Sequence, residues 1–276
     1  GRGCAMGAVR AWVAFALLLP VLHAASAGSL ELTGHVASNT QVMTLHDVDT
    51  VNPQIQGHRH MAAAGDGAAQ ILGSASYGTL GALSGAEVQL GPFATWSATL
   101  QASWTDVFRI IPRNPALMFT AGTLTFLGGA TGSGGVVEAV PTDQWGAFST
   151  WGAAVTMLTP VGTALASAGG TWSGSSFTGF SYVGDLLPAP IMATVDFIFG
   201  VDMLLSGALQ TGAQVDMLSS QWGWIEAHAA LQGSLHWGGF ADVRDSAGPL
   251  LTARDYEVIA ESGTDVVGYA CYGPTP

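Results

Sequence analysis

"ATWSATLQASWTDVFRI", residues 94–110, decides the fold. Its even positions are Ala94, Trp96, Ala98, Leu100, Ala102, Trp104, Asp106, Phe108 and Ile110. Its odd positions are Thr95, Ser97, Thr99, Gln101, Ser103, Thr105, Val107 and Arg109. Side chains of a strand point alternately to opposite faces, so this period of two writes one apolar face and one hydroxyl-rich face. Asp106 and Val107 are the two exceptions. At roughly 3.3 Å per residue the stretch reaches past about 50 Å, well beyond an ordinary strand. So long a strand is expected to bend, or to pass from one sheet to the other at a corner, as in a jelly roll. Asp106 is then expected to cap a turn through backbone N–H groups, or to return to solvent at a register shift, rather than to act as a catalytic acid.

Outward from this stretch the same texture continues. Residues 30–36, LELTGHV, alternate. Residues 40–67 are less regular and hold His46, His58 and His60, with His35 just before; they read as loop or edge strand. Residues 69–83 suggest one or two strands broken at Gly73, Gly78 and Gly81. Residues 116–126, ALMFTAGTLTF, are apolar at odd and even positions alike, which predicts a strand buried on both sides. Residues 193–209 place Val195, Phe197, Phe199, Val201, Met203 and Leu205 on one face. Residues 225–243 set Ile225, Ala227, Ala229, Leu231, Leu235 and Trp237 against Glu226, His228, Gln232, Ser234 and His236. A turn at 244–251 leads to a last strand near 255–262. No helix of twelve residues and no linker interrupts this series. The fold class is therefore all-β, an antiparallel, jelly-roll-like sandwich over 28–276 as one domain. An outer-membrane barrel is the rival, since its strands alternate too.

The start of the chain reads differently. Arg10 precedes AWVAFALLLPVLHAASA, a charged region, a short apolar region and a small-x-small site at Ala25-Ser26-Ala27. Residues 1–27 are thus expected to be a signal peptide, with Met6 the true start, and the protein to be exported. From Gly28 onward five arginines and no lysine face 19 acidic residues, a net charge of −14. Nucleic acid and anionic membrane surfaces are poor partners for such a chain. Only 9% of residues are charged while 49% are hydrophobic, so the polar surface must come from Ser, Thr, Gln and Gly. Cys271 alone remains after the signal, too few for an internal disulfide.

Chemistry-bearing residues are sparse. His58 and His60 share a face if extended, a zinc-like pair to which His35, His46 or Asp47 could add a third ligand. Exposed histidines of a polar edge are the expectation, and no metal or cofactor is assigned. Trp222, Trp224, Glu226 and His228 would share a face if the register holds, giving flat rings beside a carboxylate as a sugar platform. A bulge near Gly223 would instead send both rings into the core, and that is the expected outcome. Residues 171–184, TWSGSSFTGFSYVG, read as a recognition loop or as a glycine-rich hairpin whose aromatics cover a sandwich end. Asp106, Asp196, Asp202, Asp216 and Glu226 are available for a glycosidase pair, without a spacing that selects two. No GxSxG, phosphate loop or EF-hand loop is present.

Two stretches carry a family resemblance: residues 85–110, and residues 235–266, LHWGGFADVRDSAGPLLTARDYEVIAESGTDV. They resemble exported proteobacterial proteins of the PEP-CTERM (exosortase substrate) type. The matching residues are Ala102, Ser103, Trp104 and Asp106, then Trp237, Gly238, Gly239, Asp245, Gly248, Asp255, Tyr256, Ser262 and Gly263. That class ends in a Pro-Glu-Pro motif, a membrane helix and a basic tail. This chain stops at Tyr272-Gly273-Pro274-Thr275-Pro276, so either the sorting tail is truncated or the member is released. The expected function is an exported, non-catalytic cell-surface or extracellular-matrix protein, structural or adhesive. Its expected partners are extracellular polysaccharide or cell-surface components, with membrane contact only through such an anchor. A carbohydrate-binding domain and a glycan-active enzyme are the alternatives.

Overall fold

The computed structural model describes residues 28–52, 54–63, 66–89, 94–138, 145–176, 179–184, 189–217 and 223–262. Among them lie fifteen strands, numbered in chain order, and one three-residue 3-10 turn, Pro115–Leu117. The first sheet runs, in spatial order, β11 (Gly179–Gly184), β10 (Gly162–Ser175), β9 (Trp145–Thr159), β13 (Met203–Met217), β6 (Thr95–Pro112), β1 (Ser29–Ser38) and β2 (Val42–Asp49). The short β15 (Tyr256–Ala260) pairs with the far end of β6. The second sheet runs β12 (Ala189–Ile198), β7 (Ala121–Ala130), β14 (Trp224–Asp245), β5 (Thr79–Gln89), β4 (Gly67–Ser76) and β3 (Gln54–Ala63), with β8 (Ser133–Glu138) beside β14. Every pairing is antiparallel. The chain passes from sheet to sheet repeatedly, in jelly-roll fashion, and the apolar faces of the two sheets meet in the core. That is the reverse of a lipid-facing barrel, whose apolar band points outward.

β6 carries the long alternation without a break. Trp96, Ala98, Leu100, Ala102, Trp104, Asp106, Phe108 and Ile110 are all buried, and the intervening side chains are half-exposed. The strand does not cross a corner, contrary to expectation. It stays in one sheet because partners follow one another along its flank: β1 covers 96–105 and β15 covers 108–112. β14 is built the same way, with β5 on one side and β8 then β7 on the other. No register shift occurs at Asp106. It accepts the backbone N–H of Ser262 at 3.1 Å and the Ser262 hydroxyl at 2.9 Å, capping the turn that follows β15.

Two other expectations are corrected. The apolar run at 116–126 is not a doubly buried strand. It begins in the 3-10 turn, passes the exposed Phe119, and enters β7 only at Ala121, which then alternates. The face proposed for 193–209 is divided between β12 and β13, which belong to opposite sheets. Gly200, at φ 76°, turns the chain between them. Both strands point inward, so the alternation survives a change of sheet.

The sheets sit close together. Cα atoms of β5 and β13 approach within 8 Å, inside the roughly 10 Å of ordinary sheet stacking. The facing residues are small: Ala82, Ser84 and Ala86 oppose Thr211 and Ala213, all buried. The hydroxyls of Ser84 and Thr211 meet at 2.8 Å across this gap. Residues 40–67 do form edges: β2 bounds one sheet and β3 the other. Arg59 of β3 donates Nε to the Thr44 carbonyl of β2 at 3.0 Å. An inward-turned arginine thereby occupies an edge acceptor that another chain could pair with.

Candidate functional site

The outer face of the second sheet gathers most of the residues that the sequence singles out. β14 alternates from its start, with Ile225, Ala227 and Ala229 buried and Trp224, Glu226 and His228 half-exposed on the other side. The expected inward flip does not happen to Trp224. Its ring stands on the outer face because regular pairing with Gln89 of β5 begins at Trp224 itself. Trp222 lies outside the described residues.

Cross-strand neighbours complete the surface. Glu226 is directly opposite Glu87 of β5, and Trp224 is opposite Gln89. Directly opposed residues hold their Cβ atoms about 5 Å apart, and like charges so placed repel. Two local contacts moderate this. Gln89 Nε2 donates to Glu87 Oε1 at 2.9 Å, and His228 Nδ1 lies 3.5 Å from Glu226 Oε1. Gly135 of β8 and Gly85 of β5 flank His228. A Cβ at Gly85 would meet Gln70 of β4 at 3.6 Å, so the Gln70 side chain leans over that low floor toward His228. The result is an open platform: one indole, two carboxylates, two amides and an imidazole.

Glu87 is the member that sequence reasoning missed. It lies in "GAEVQL", with the same alternation as its neighbours, but only the pairing of β5 with β14 brings it to Glu226, 139 positions later. His58 and His60 stand on this same outer face, at the far edge, exposed and stacked with ring centroids 6.5 Å apart. His60 shares a row with Gln70, Gly85 and His228. Three strand spacings separate it from His228, roughly 14 Å, too far for a shared ion. Among the described residues no three His, Cys, Asp or Glu side chains come together as a metal site.

The other candidate carboxylates stand apart from this platform, Asp196 exposed on β12. Asp202 forms an ion pair with Arg109 at 2.6 Å. Asp216 accepts from Gln214 at 2.8 Å. Asp106 is buried on its turn. A depression of about 590 Å³ lies on the outer face of the first sheet, lined by Thr33, His35, His46, Thr99, Gln101 and Gln210 among others, with no carboxylate in its lining. The concavity and the carboxylate pair are thus on opposite faces of the molecule. The 171–184 segment is the hairpin β10–β11, with Trp172 against Tyr182 at 4.7 Å and Phe180 against Trp145 at 5.5 Å; Phe177 lies outside the described residues.

Fold and site together define an all-β antiparallel sandwich with an aromatic–carboxylate platform on one sheet. Comparison with known proteins returns no matching family model, no matching curated protein and no matching solved structure.

Proposed function

We propose that the protein is an exported, non-catalytic component of the cell surface or extracellular matrix that adheres to polysaccharide through the outer face of β14. One observation carries this reading: Trp224 stands outside the core beside Glu226 and His228, whereas most of the other aromatic side chains among the described residues are buried. An indole covers the apolar face of a pyranose, and carboxylates, amides and imidazole exchange hydrogen bonds with its hydroxyls. The opposed pair Glu87 and Glu226 costs stability; acceptors for sugar hydroxyls are a reason to keep it. The same pair repels anionic chains, so the ligand of this face is a neutral glycan. The signal-like N-terminus, the Ser/Thr/Gln surface and the resemblance to exosortase substrates support export. Separation of the carboxylate pair from the concave face supports binding over hydrolysis.

The test is a neutral-glycan array with Trp224→Ala and Glu226→Gln. Each variant is expected to lose about tenfold or more in affinity, on the order of 1.4 kcal/mol, with an unchanged melting temperature for Trp224→Ala and an unchanged or raised one for Glu226→Gln. Binding that survives both substitutions contradicts the assignment.

A further inference from the structure

We infer that the loop-bearing end of the sandwich, around Phe119, Arg113 and Arg254, is a second binding site, for the carboxylates of a polyuronate. It lies away from the β14 platform and does not depend on it.

Phe119 carries the first observation. It is the only non-glycine residue at positive φ among the described residues, at φ 62°, and its side chain is 72% exposed. A bulky residue in this left-handed region is strained, and an exposed aromatic ring gains nothing from burial. The conformation is nonetheless held firmly. Phe119 N–H donates to the Phe199 carbonyl at 3.1 Å, and Phe199 N–H donates to the Thr120 carbonyl at 3.0 Å. The turn bonds Met118 N–H to Pro115 and Thr120 N–H to Leu117 fix the rest of the loop. A strained ring, rigidly presented to solvent, is a residue kept for contact rather than for stability.

Charge is the second observation. Of the five arginines after the signal, four (Arg109, Arg113, Arg244 and Arg254) fall on the strands and loops of this end. Arg109 pairs with Asp202, and Arg244 with Asp242. Arg113 and Arg254 are exposed and form no ion pair among the described residues. They are not on separate excursions. Arg113 N–H donates to the Asp255 carbonyl at 2.8 Å, tying the loop after β6 to the loop before β15, and Gly200 N–H ties the β12–β13 turn to Ile110. The carboxylate beside them, Asp255, is taken up by the Thr252 N–H and hydroxyl at 2.7 Å each, so in a chain of net charge −12 these two guanidinium groups are open to an anion from outside.

The chemistry of the pair selects the ligand. Guanidinium groups bind carboxylates as planar forks. An aromatic ring covers the apolar face of a sugar. A uronic acid offers both features on one pyranose, and a polyuronate repeats them along its length. With a neutral glycan on β14, two such sites let one molecule join two kinds of polysaccharide.

The experiment measures binding of the full chain to alginate, with dextran as the neutral control, at low and high salt. Three proteins are compared: wild type, the double variant Arg113→Gln/Arg254→Gln, and Phe119→Gly. Glycine accepts φ 62° without strain, so Phe119→Gly removes the ring while holding or raising the melting temperature. Wild type is expected to bind alginate in a salt-sensitive manner, and each altered protein to bind at least about tenfold more weakly. Trp224→Ala should leave alginate binding intact. The inference is overturned if wild type does not bind alginate, or if the altered proteins bind it equally well. It is also overturned if sedimentation shows that the arginines serve only to join copies of this chain.

Discussion

Asp106 has no solvent-exposed surface, yet it is a carboxylate on the most apolar strand face of the protein. The two Ser262 hydrogen bonds explain its place, since burial of an acceptor is tolerable only when it is paired. Asp106→Ala removes both and leaves the turn after β15 unanchored. We expect a loss of about 3 kcal/mol in chemical denaturation, from two bonds to a charged group, with β15 the first segment to gain amide exchange. A turn cap was one of the two roles the sequence offered for it, beside a register shift that would return it to solvent; its partner, 156 residues away, was not legible there. Tyr256 is the complementary case. It is buried, its hydroxyl has no hydrogen-bond partner among the described residues, and burial, aided by the charge of Asp255, pushes its pKa up to about 12. The folded state thus holds this proton more tightly than the unfolded state, whose tyrosine titrates near 10. Its contribution to stability is complete below pH of about 10 and is lost as pH rises toward 12. Tyr256→Phe should hold or raise the melting temperature at neutral pH, and should reduce the fall in stability between pH 10 and 12. A steeper alkaline fall in that variant would contradict this.

At the scale of the element, β6 and β14 organise the fold because each is longer than its neighbours and takes two partners in tandem on one flank. Alternation reported the faces of β6 faithfully, since an uninterrupted ladder keeps its period. In β14 it held over Trp224–Leu231; against β5 the register shifts between Leu231 and Leu235, and against β7 further shifts near Gly239 and Asp242 accompany the burial of Phe240 in the core. A glycine at positive φ, Gly239, marks one of these shifts, but glycines inside strands, such as Gly73, look identical in sequence. That ambiguity is why 193–209 read as one strand. Between sheets, the Ser84–Thr211 bond is a polar contact in a gap otherwise filled by small apolar groups. Ser84→Ala alone strands the Thr211 hydroxyl and should cost about 1–3 kcal/mol, whereas Ser84→Ala with Thr211→Val should recover much of that loss. Urea denaturation of the single and double variants measures both; a double variant no better than the single would show that the bond is not what the gap requires.

At the scale of the whole molecule, sheet pairing does what chain order conceals. It joins Glu87 to Glu226, sets Trp224 beside them, and separates this platform from the concavity of the opposite sheet. The class of fold was written in the period of two and the turn residues, which are local signals. The site was only half legible: Trp224, Glu226 and His228 share one strand, while Glu87, Gln89 and Gln70 come from strands whose pairing no local pattern specifies. An open platform of this kind predicts recognition by surface contact with little rearrangement. Affinity should therefore depend on the indole rather than on the net charge of the molecule. Titration of a neutral polysaccharide bound by the wild-type protein against Trp224→Ala is the most direct test. The prediction is a loss of about tenfold or more in affinity with the same melting temperature; equal affinity of the two proteins would contradict the assignment of this face.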